Sequence, residues 1–320
     1  MTKALITGIT GQDGYYLAQQ LIAEGVEVIG LVRDVAQARA AVADLGGDVR
    51  LIAFDFMQAG LVTEVITETA PDYIFNYAAK SSGQGMFDAP TEMARLNAGF
   101  ALDILHAMIA SPRRERIRFV QASSSEMYGS NDQMPQNEES AFRPISPYGA
   151  AKLYVHNMIG IYRNMHDLHA SSAILFNHES PRRSEAFVTK KIANAAARIK
   201  LGQLDRLRLG NTSSRRDWGY APEYADAMYR MARHAQGDDY VVATGRMHGL
   251  VDVLEMAFGA VGLSYCDYLD TDPDAMRRID SKGHCGDPGK IRRALGWTST
   301  KPLQDIIVEM VETEVRKFGG

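Results

Sequence analysis

Tyr148 and Lys152 stand four residues apart in the run Ser146-Pro-Tyr-Gly-Ala-Ala-Lys152, so on a helix a phenol and an ammonium share one face. Such a pair is suited to redox chemistry on an alcohol. A phenol with its ordinary pKa of about 10 is a weak base at neutral pH, but neighbouring positive charge favours phenolate. Tyr148 is then able to take a hydroxyl proton while hydride leaves the same carbon. Upstream, the run Gln121-Ala-Ser-Ser-Ser-Glu126 supplies hydroxyls and a carboxylate, with Ser124 and Glu126 as candidates to work beside the pair. The spacing alone also suits an ordinary amphipathic helix, so the surrounding elements must decide.

Residues 3–7 read as a short buried strand, followed by glycines and an amphipathic helix over 15–24. Further strands are expected over 26–32, 49–54, 72–76, 117–122 and 170–176, separated by helices over 36–45, 61–69, 91–109 and 145–167. Strands alternating with helices imply a parallel sheet, here a Rossmann-type doubly wound α/β fold. Glu126 then follows the C-terminal end of the fifth strand, where such sheets bind ligands. Beyond Phe176 the pattern loses regularity. It reads as a helix over 187–201, a strand over 206–209, a loop dense in charge and small residues over 210–219, a helix over 222–234, and a strand over 240–243 that returns to the sheet. The expected division is a dinucleotide-binding domain of residues 1–176 plus about 220–243, and a smaller, mostly C-terminal mixed α/β substrate lobe of 177–219 and 244–320. The helices over 91–109 and 145–167 carry apolar residues suited either to the core or to a dimer with two helices from each subunit.

Gly8-Ile-Thr10-Gly11-Gln12-Asp13-Gly14 falls between the first strand and the first helix, where glycines permit a tight turn and bring backbone N–H groups close to a pyrophosphate. The end of the second strand selects the dinucleotide. An acid there bonds the ribose hydroxyls of NAD, whereas Arg pairs with the additional phosphate of NADP. Val32-Arg33-Asp34 offers both, and Arg33, which comes first, favours NADP while leaving NAD possible. Asp55, with Phe56 beside it after the third strand, is placed for the adenine. Asn76-Tyr-Ala78-Ala79 lets the fourth strand end close to the cofactor.

With 320 residues, 46% hydrophobic and 23% charged, the chain has the profile of a soluble globular protein with a large core. A net charge of −4 argues against a nucleic-acid partner. No run nears the roughly 18 apolar residues of a membrane span, and no secretory signal precedes the first strand. Cys266 and Cys285 form neither a disulfide framework nor a metal-ligand pattern, which fits a reducing cytoplasm. His156 and His178 read as structural, and no metal is expected.

Joined together, the glycine loop, Ser124, Glu126 and the Tyr148/Lys152 pair resemble the extended short-chain dehydrogenase/reductase family. Thr7–Gly14, Ser146–Tyr154, Ile174–Arg183, Phe187–Ile192 and Arg216-Asp-Trp-Gly219 are similar, within it, to the GDP-mannose 4,6-dehydratases. The resemblance implies an internal redox cycle on a nucleotide-linked hexose. Tyr148 would remove the C4 hydroxyl proton as hydride passes to nicotinamide, and Lys152 would lower the Tyr pKa. Ser124, where the family commonly has Thr, would bond the C4 oxygen. Glu126 would act as base at C5 and help water leave from C6, after which hydride returns to C6. Asn177, Lys191, Arg216 and Arg277 match the family's nucleotide-sugar contacts, and Ser82 falls in its sugar-contacting loop. A homodimer or homotetramer is the expected assembly.

Three departures bear on that reading. Arg33-Asp-Val-Ala replaces the paired arginines and serines that usually follow the second strand, which opens cofactor preference and tetramer formation. Met276–Lys282 keeps Arg277 but lacks the following proline and acids. Lys80–Gly85 is richer in glycine than usual, and residues after Ala243-Thr-Gly245 differ, so a relative of mannose such as a heptose is an alternative sugar. An epimerase or 4-reductase on the same fold needs Tyr148 and Lys152 but no C5 base. A nucleotide-sensing protein needs none of the four catalytic residues.

Overall fold

The structure, a computed structural model, describes residues 1–80, 87–271 and 283–319. Its centre is a parallel sheet of seven strands: β1 (Lys3–Thr7), β2 (Glu27–Val32), β3 (Val49–Ala53), β4 (Tyr73–Asn76), β5 (Arg118–Ser124), β6 (His169–Leu175) and β10 (Asp239–Val242). Their order is β10-β6-β5-β4-β1-β2-β3, so the winding reverses between β1 and β4. Apart from the edge strand β3, the strands are buried on both faces because helices cover both. On one face α1 (Gln12–Ala23) and α8 (Ala221–Arg233) pack through Leu17, Leu21, Met228 and Met231. On the other, α3 (Leu61–Thr69), α5 (Phe100–Ala110) and α6 (Pro147–His166) bury Val65, Ile104, Leu105, Val155 and Ile159. The short α2 (Val35–Ala41) lies between β2 and β3.

A separate apolar cluster builds the smaller lobe. In it α7 (Val188–Lys200), α9 (Leu250–Gly259) and α11 (Leu303–Gly319) surround Trp218, with Ile192, Leu254, Phe258, Ile307 and Met310 at its centre. A buried pair between Lys190 and Glu314, 2.5 Å apart, joins α7 to α11. Two small sheets complete the architecture. In the order β11-β9-β7, β9 (Arg215–Tyr220) runs parallel to β7 (Asn177–Glu179) and antiparallel to β11 (Met247–Gly249). β8 (Leu207–Leu209) pairs in parallel with β12 (Leu269–Thr271). The short helix α10 (Gly289–Leu295) packs near β10.

The parallel sheet and the return of β10 agree with the expectation from sequence. Three local readings need correction. The segment 210–219 is not all loop, since its second half is β9. The strand was hidden because residues 216–219 are buried on both faces, so polarity does not alternate along it. The expected helix over 91–109 is α4 (Pro90–Ala94), a π-helical turn at Arg95–Gly99 and then α5. The expected helix over 36–45 stops at Ala41, and Leu45 packs as part of the core after it.

Asp217 explains how a charged strand is tolerated inside. Its fully buried carboxylate accepts hydrogen bonds from Thr244 N at 3.0 Å and Thr244 Oγ1 at 2.6 Å, and from Gly245 N at 2.9 Å and Gly286 N at 3.2 Å. Burial raises its pKa, while these donors oppose the rise. Asp217 thus ties β9 to the loop after β10 and to the segment preceding α10. Asp217→Ala, which leaves those donors without their acceptor, is expected to lower stability by about 3–5 kcal/mol, read as a fall in the urea midpoint with unchanged slope.

Candidate active site

The reversal between β1 and β4 opens a crevice at the C-terminal ends of the strands, where ligands bind in open α/β sheets. One wall is the loop from β1 to α1. Gly8 has φ +71° and lies against the backbone of Tyr77 and Ala78, and a Cβ on Gly14 would stand 2.4 Å from Gly8 O. Hydrogen at residue 14 is what lets the loop close onto α1. Gly11 caps α1 without a side-chain acceptor, and Thr10 is exposed. The N–H groups and positive dipole end of the first turn are therefore available to an anion, and this cradle fits a dinucleotide pyrophosphate.

The side chains of Gln12 and Asp13 turn to β7 and the residue after it. Gln12 Nε2 donates to His178 O at 3.0 Å, Ser180 Oγ donates to Gln12 Oε1 at 2.7 Å, and Asp13 Oδ1 lies 2.9 Å from His178 Nε2. Burial raises the Asp13 carboxyl, but His178, Arg183 and Gln12 together outweigh it and hold the group below its ordinary value. Across the strand ends runs a buried polar chain. Thr7 Oγ1 donates to Asn76 Oδ1 at 2.6 Å, Asn76 Nδ2 to Gln121 Oε1 at 2.7 Å, and Ala78 N to Thr7 Oγ1 at 3.0 Å. It fixes Ala78 beside the glycine loop.

Arg33 and Asp34 are both exposed at the end of β2. Asp34 is engaged as the N-cap of α2 and accepts from Gln37 N at 2.9 Å. No hydrogen bond or ion pair involves Arg33 among the described residues. Asp55 is exposed after β3 and accepts from Met57 N at 2.8 Å. Phe56 was expected at the cofactor, but its ring packs edge-on against Phe54 and Phe100 at centroid distances of 5.0 and 5.1 Å. Its side chain belongs to the core, and only its backbone is left for a ligand.

The chemistry-bearing group gathers where β5 ends. Ser124 is its last residue, and a single 3₁₀ turn at Ser125–Met127 carries Glu126, whose N–H donates to Ser124 Oγ at 3.2 Å. Ser146 caps α6 by accepting from Gly149 N at 3.1 Å, which starts the helix immediately before Tyr148. A Cβ on Gly149 would meet Glu126 O at 2.5 Å, so the glycine allows the first turn of α6 to rest on the Glu126 backbone. Burial raises the pKa of Tyr148, Ser124 lowers it through a hydrogen bond, and the Glu126 charge raises it. Lys152 lies one helical turn on, its Nζ 5.7 Å from the centre of the Tyr148 ring and 2.6 Å from Ala122 O. Only 1% of Lys152 is exposed, and burial lowers its pKa to about 8. The expected lowering of the phenol by Lys152 is not found. The ammonium is drawn toward the Ala122 carbonyl, and burial leaves Tyr148 above its ordinary value.

Asn177 on β7 lies opposite Trp218 on β9, two residues from Arg216, so Asn177 and Arg216 share one face of the small sheet. Arg216 is buried, and its Nη1 donates to Arg215 O at 2.8 Å. Lys191, in the first turn of α7, is exposed and donates to Arg208 O at 2.7 Å. It lines a surface groove of about 630 Å³ with Arg198, Arg206 and Asp270. Ser82 and Arg277 lie outside the described residues.

Two positioning residues escaped sequence reasoning. In the sequence His178 reads as structural, because its partner Asp13 lies 165 residues away. Asn97, buried in the π turn, accepts from Lys80 N at 3.0 Å and donates to Lys80 O at 3.3 Å. Its one signal was a polar residue in an otherwise apolar helical stretch.

A family model described as GDP-mannose 4,6 dehydratase matches residues 5–310. The GDP-mannose 4,6-dehydratase of Sinorhizobium fredii is 37% identical, with 99% of this chain and 97% of that protein covered. The human GDP-mannose 4,6 dehydratase is 35% identical over 98% of this chain and 91% of its own. Among solved structures, a UDP-glucose 4-epimerase of Thermotoga maritima with UDP-glucose superposes with a TM-score of 0.85 at 20% identity, covering 99% of each chain. A dTDP-glucose 4,6-dehydratase of Bacillus anthracis in complex with NAD gives 0.84 at 17% identity, covering 100% of this chain and 98% of the other. At those identities the structural likeness establishes the fold.

The buried ammonium makes a prediction about stability. The folded pKa of Lys152, about 8, lies below its ordinary 10.5, so over that interval the unfolded chain binds more protons and stability rises with pH. Below about 8 the full burial penalty acts, on the order of 3 kcal/mol before the lost hydrogen bond is subtracted. Lys152→Met is therefore expected to raise the melting temperature at neutral pH. The gain should shrink between pH 8 and 10.5, as followed by calorimetry across pH.

Proposed function

The chain belongs to the GDP-mannose 4,6-dehydratase family of hydro-lyases, and from that premise we propose that it converts GDP-mannose to GDP-4-keto-6-deoxy-mannose with NADP. The observation that carries the reading is the convergence of Glu126 and Tyr148 on Ser124 at the end of β5. An oxidation needs only the Tyr/Lys pair. The Glu126 carboxylate, near enough for its charge to act on the Tyr148 phenol, supplies the second function that an elimination requires.

When bound, the nicotinamide supplies a hydride acceptor at C4, a hydride donor at C6 and a positive charge that favours phenolate. The remaining work falls to side chains. Tyr148 takes the C4 hydroxyl proton while Ser124 bonds the same oxygen. The C4 ketone that results acidifies the C5 proton. Glu126 removes that proton and delivers one to the C6 hydroxyl, which departs as water, and the proton that Tyr148 took from the C4 hydroxyl is returned at C5 as C6 is reduced. Lys152 holds the Tyr148 turn against β5 through the Ala122 carbonyl. Asn177 and Arg216 on one sheet face, with Lys191 and Arg277, contribute polar and cationic groups for the guanosine diphosphate.

The choice of NADP is supported by the end of β2. Asp34 is committed to capping α2, whereas Arg33 is exposed and has no hydrogen-bond or ion-pair partner among the described residues. Assembly as a homodimer, or a homotetramer built from it, is supported by α6, where Tyr154, Ile161 and Met165 are 49%, 49% and 73% exposed. Their spacing of seven and four residues puts them along one stripe of the helix.

Glu126→Gln is expected to lower turnover of GDP-mannose by about a hundredfold or more while the C5 proton stays in place. Single-turnover absorbance at 340 nm should still report C4 oxidation. Undiminished formation of the keto-deoxy sugar by the variant would remove Glu126 from the mechanism. Arg33→Ala should reduce the preference for NADP over NAD by about tenfold, measured as the ratio of dissociation constants. An unchanged ratio would place phosphate recognition elsewhere.

A further inference from the structure

The segment after β7 is anchored on both sides of Arg182. Ser180 Oγ donates to Gln12 Oε1 on α1 at 2.7 Å and accepts from Arg182 N at 3.1 Å, while Lys190 Nζ on α7 donates to Pro181 O at 2.6 Å. From this fixed backbone the Arg182 side chain crosses to α1 and α2. Its guanidinium lies 3.5 Å from the centre of the Tyr15 ring on α1, and Nη2 donates to Ala41 O at 2.7 Å. Asp44, in the segment beyond α2, stands 3.5 Å from Nη1. Ala41 is the last residue of α2, so its carbonyl has no acceptor role within the helix, and a cation there also meets the negative end of the helix dipole.

α2 needs such a hold. It has seven residues and buries only Ala38, too little for a helix to persist unaided. Asp34 caps its front, and Arg182 holds its end. The cap is also what occupies the Asp34 carboxylate, in the residue next to Arg33. Were the helix to unwind, Gln37 N would leave Asp34 Oδ1, and a free acid would stand beside the residue that is to meet a phosphate. Such an acid repels the additional phosphate of NADP and accepts from the ribose hydroxyls of NAD. We infer that Arg182 is a positioning residue that determines dinucleotide specificity: by clamping the C-terminal end of α2 to the segment after β7, it keeps Asp34 occupied and leaves Arg33 to select NADP. The inference rests on the reading of Arg33 as the phosphate contact.

Calorimetric titration of the full chain with NADP and with NAD tests this in Arg182→Met, whose side chain can still cover Tyr15 but has neither charge nor donor. The dissociation constant for NADP should rise on the order of fivefold, while that for NAD holds or falls. Equal loss for both dinucleotides, as general damage to the fold would cause, or no loss for NADP would overturn the inference. Amide hydrogen exchange followed by mass spectrometry should quicken in α2 of the variant. Unchanged exchange there would also overturn it, since Arg182 would not then act through the helix. Asp34→Asn keeps a capping side chain but leaves no acid to release, so in that background Arg182→Met should barely move the ratio of the two constants. A full fivefold fall there would overturn the part given to Asp34. Arg33→Ala separates this inference from the reading beneath it. An unchanged ratio in Arg33→Ala would overturn the phosphate reading itself, whereas a fall in Arg33→Ala with none in Arg182→Met would overturn the role of Arg182 alone.

Discussion

The burial of the Lys152 ammonium against the Ala122 carbonyl is the constraint around which the catalytic half of the molecule is arranged. An amine in so dry a place is costly, and its carbonyl acceptor belongs to the backbone of β5, which cannot move without disturbing the sheet. The contact therefore fixes the rotation of α6 about its axis and its height above the sheet. Tyr148, one turn earlier, inherits that placement. The Ser146 cap and the missing side chain of Gly149 then bring the same turn down onto the residue that follows Ser124 and Ser125.

A second set of buried polar contacts serves the opposite wall. Thr7, Asn76 and Gln121 satisfy one another across three strands, in the region where the sheet must expose backbone to a ligand. Such a chain tolerates little sliding between strands, since a shift of one residue would leave at least two donors buried without acceptors. Asp217 does comparable work in the small sheet, with three backbone N–H groups and one hydroxyl as its donors. In each place the polar groups buried near the crevice hold segments that are far apart in sequence.

That distance separates what could be read in the sequence from what could not. The parallel sheet was legible because each strand is a local apolar run and each helix a local period. The glycine loop and the Tyr148/Lys152 pair were legible because their spacing is short. β9 was not, because Arg216 and Asp217 become strand residues only when Thr244, Gly245 and the 284–286 segment arrive to surround them. The orientation of Gln12 and Asp13 was hidden in the same way. Both belong to a motif associated with phosphate, yet their side chains turn to residues more than 160 positions away. Phe56 followed the third strand as expected, but the packing of Phe54 and Phe100 determined where its ring lies.

The π turn at Arg95–Gly99 lets one chain segment obey two masters. A π turn holds one residue more than an α turn, so α4 and α5 are offset by about 100° from the phase a continuous helix would have. α5 keeps Ile104 and Leu105 toward the sheet, while the turn presents Asn97 inward to grip the Lys80 backbone. The extra residue decouples the two demands. Gain or loss of a single residue at this turn would re-aim Asn97 relative to the Lys80 backbone and leave the packing of α5 against the sheet unchanged.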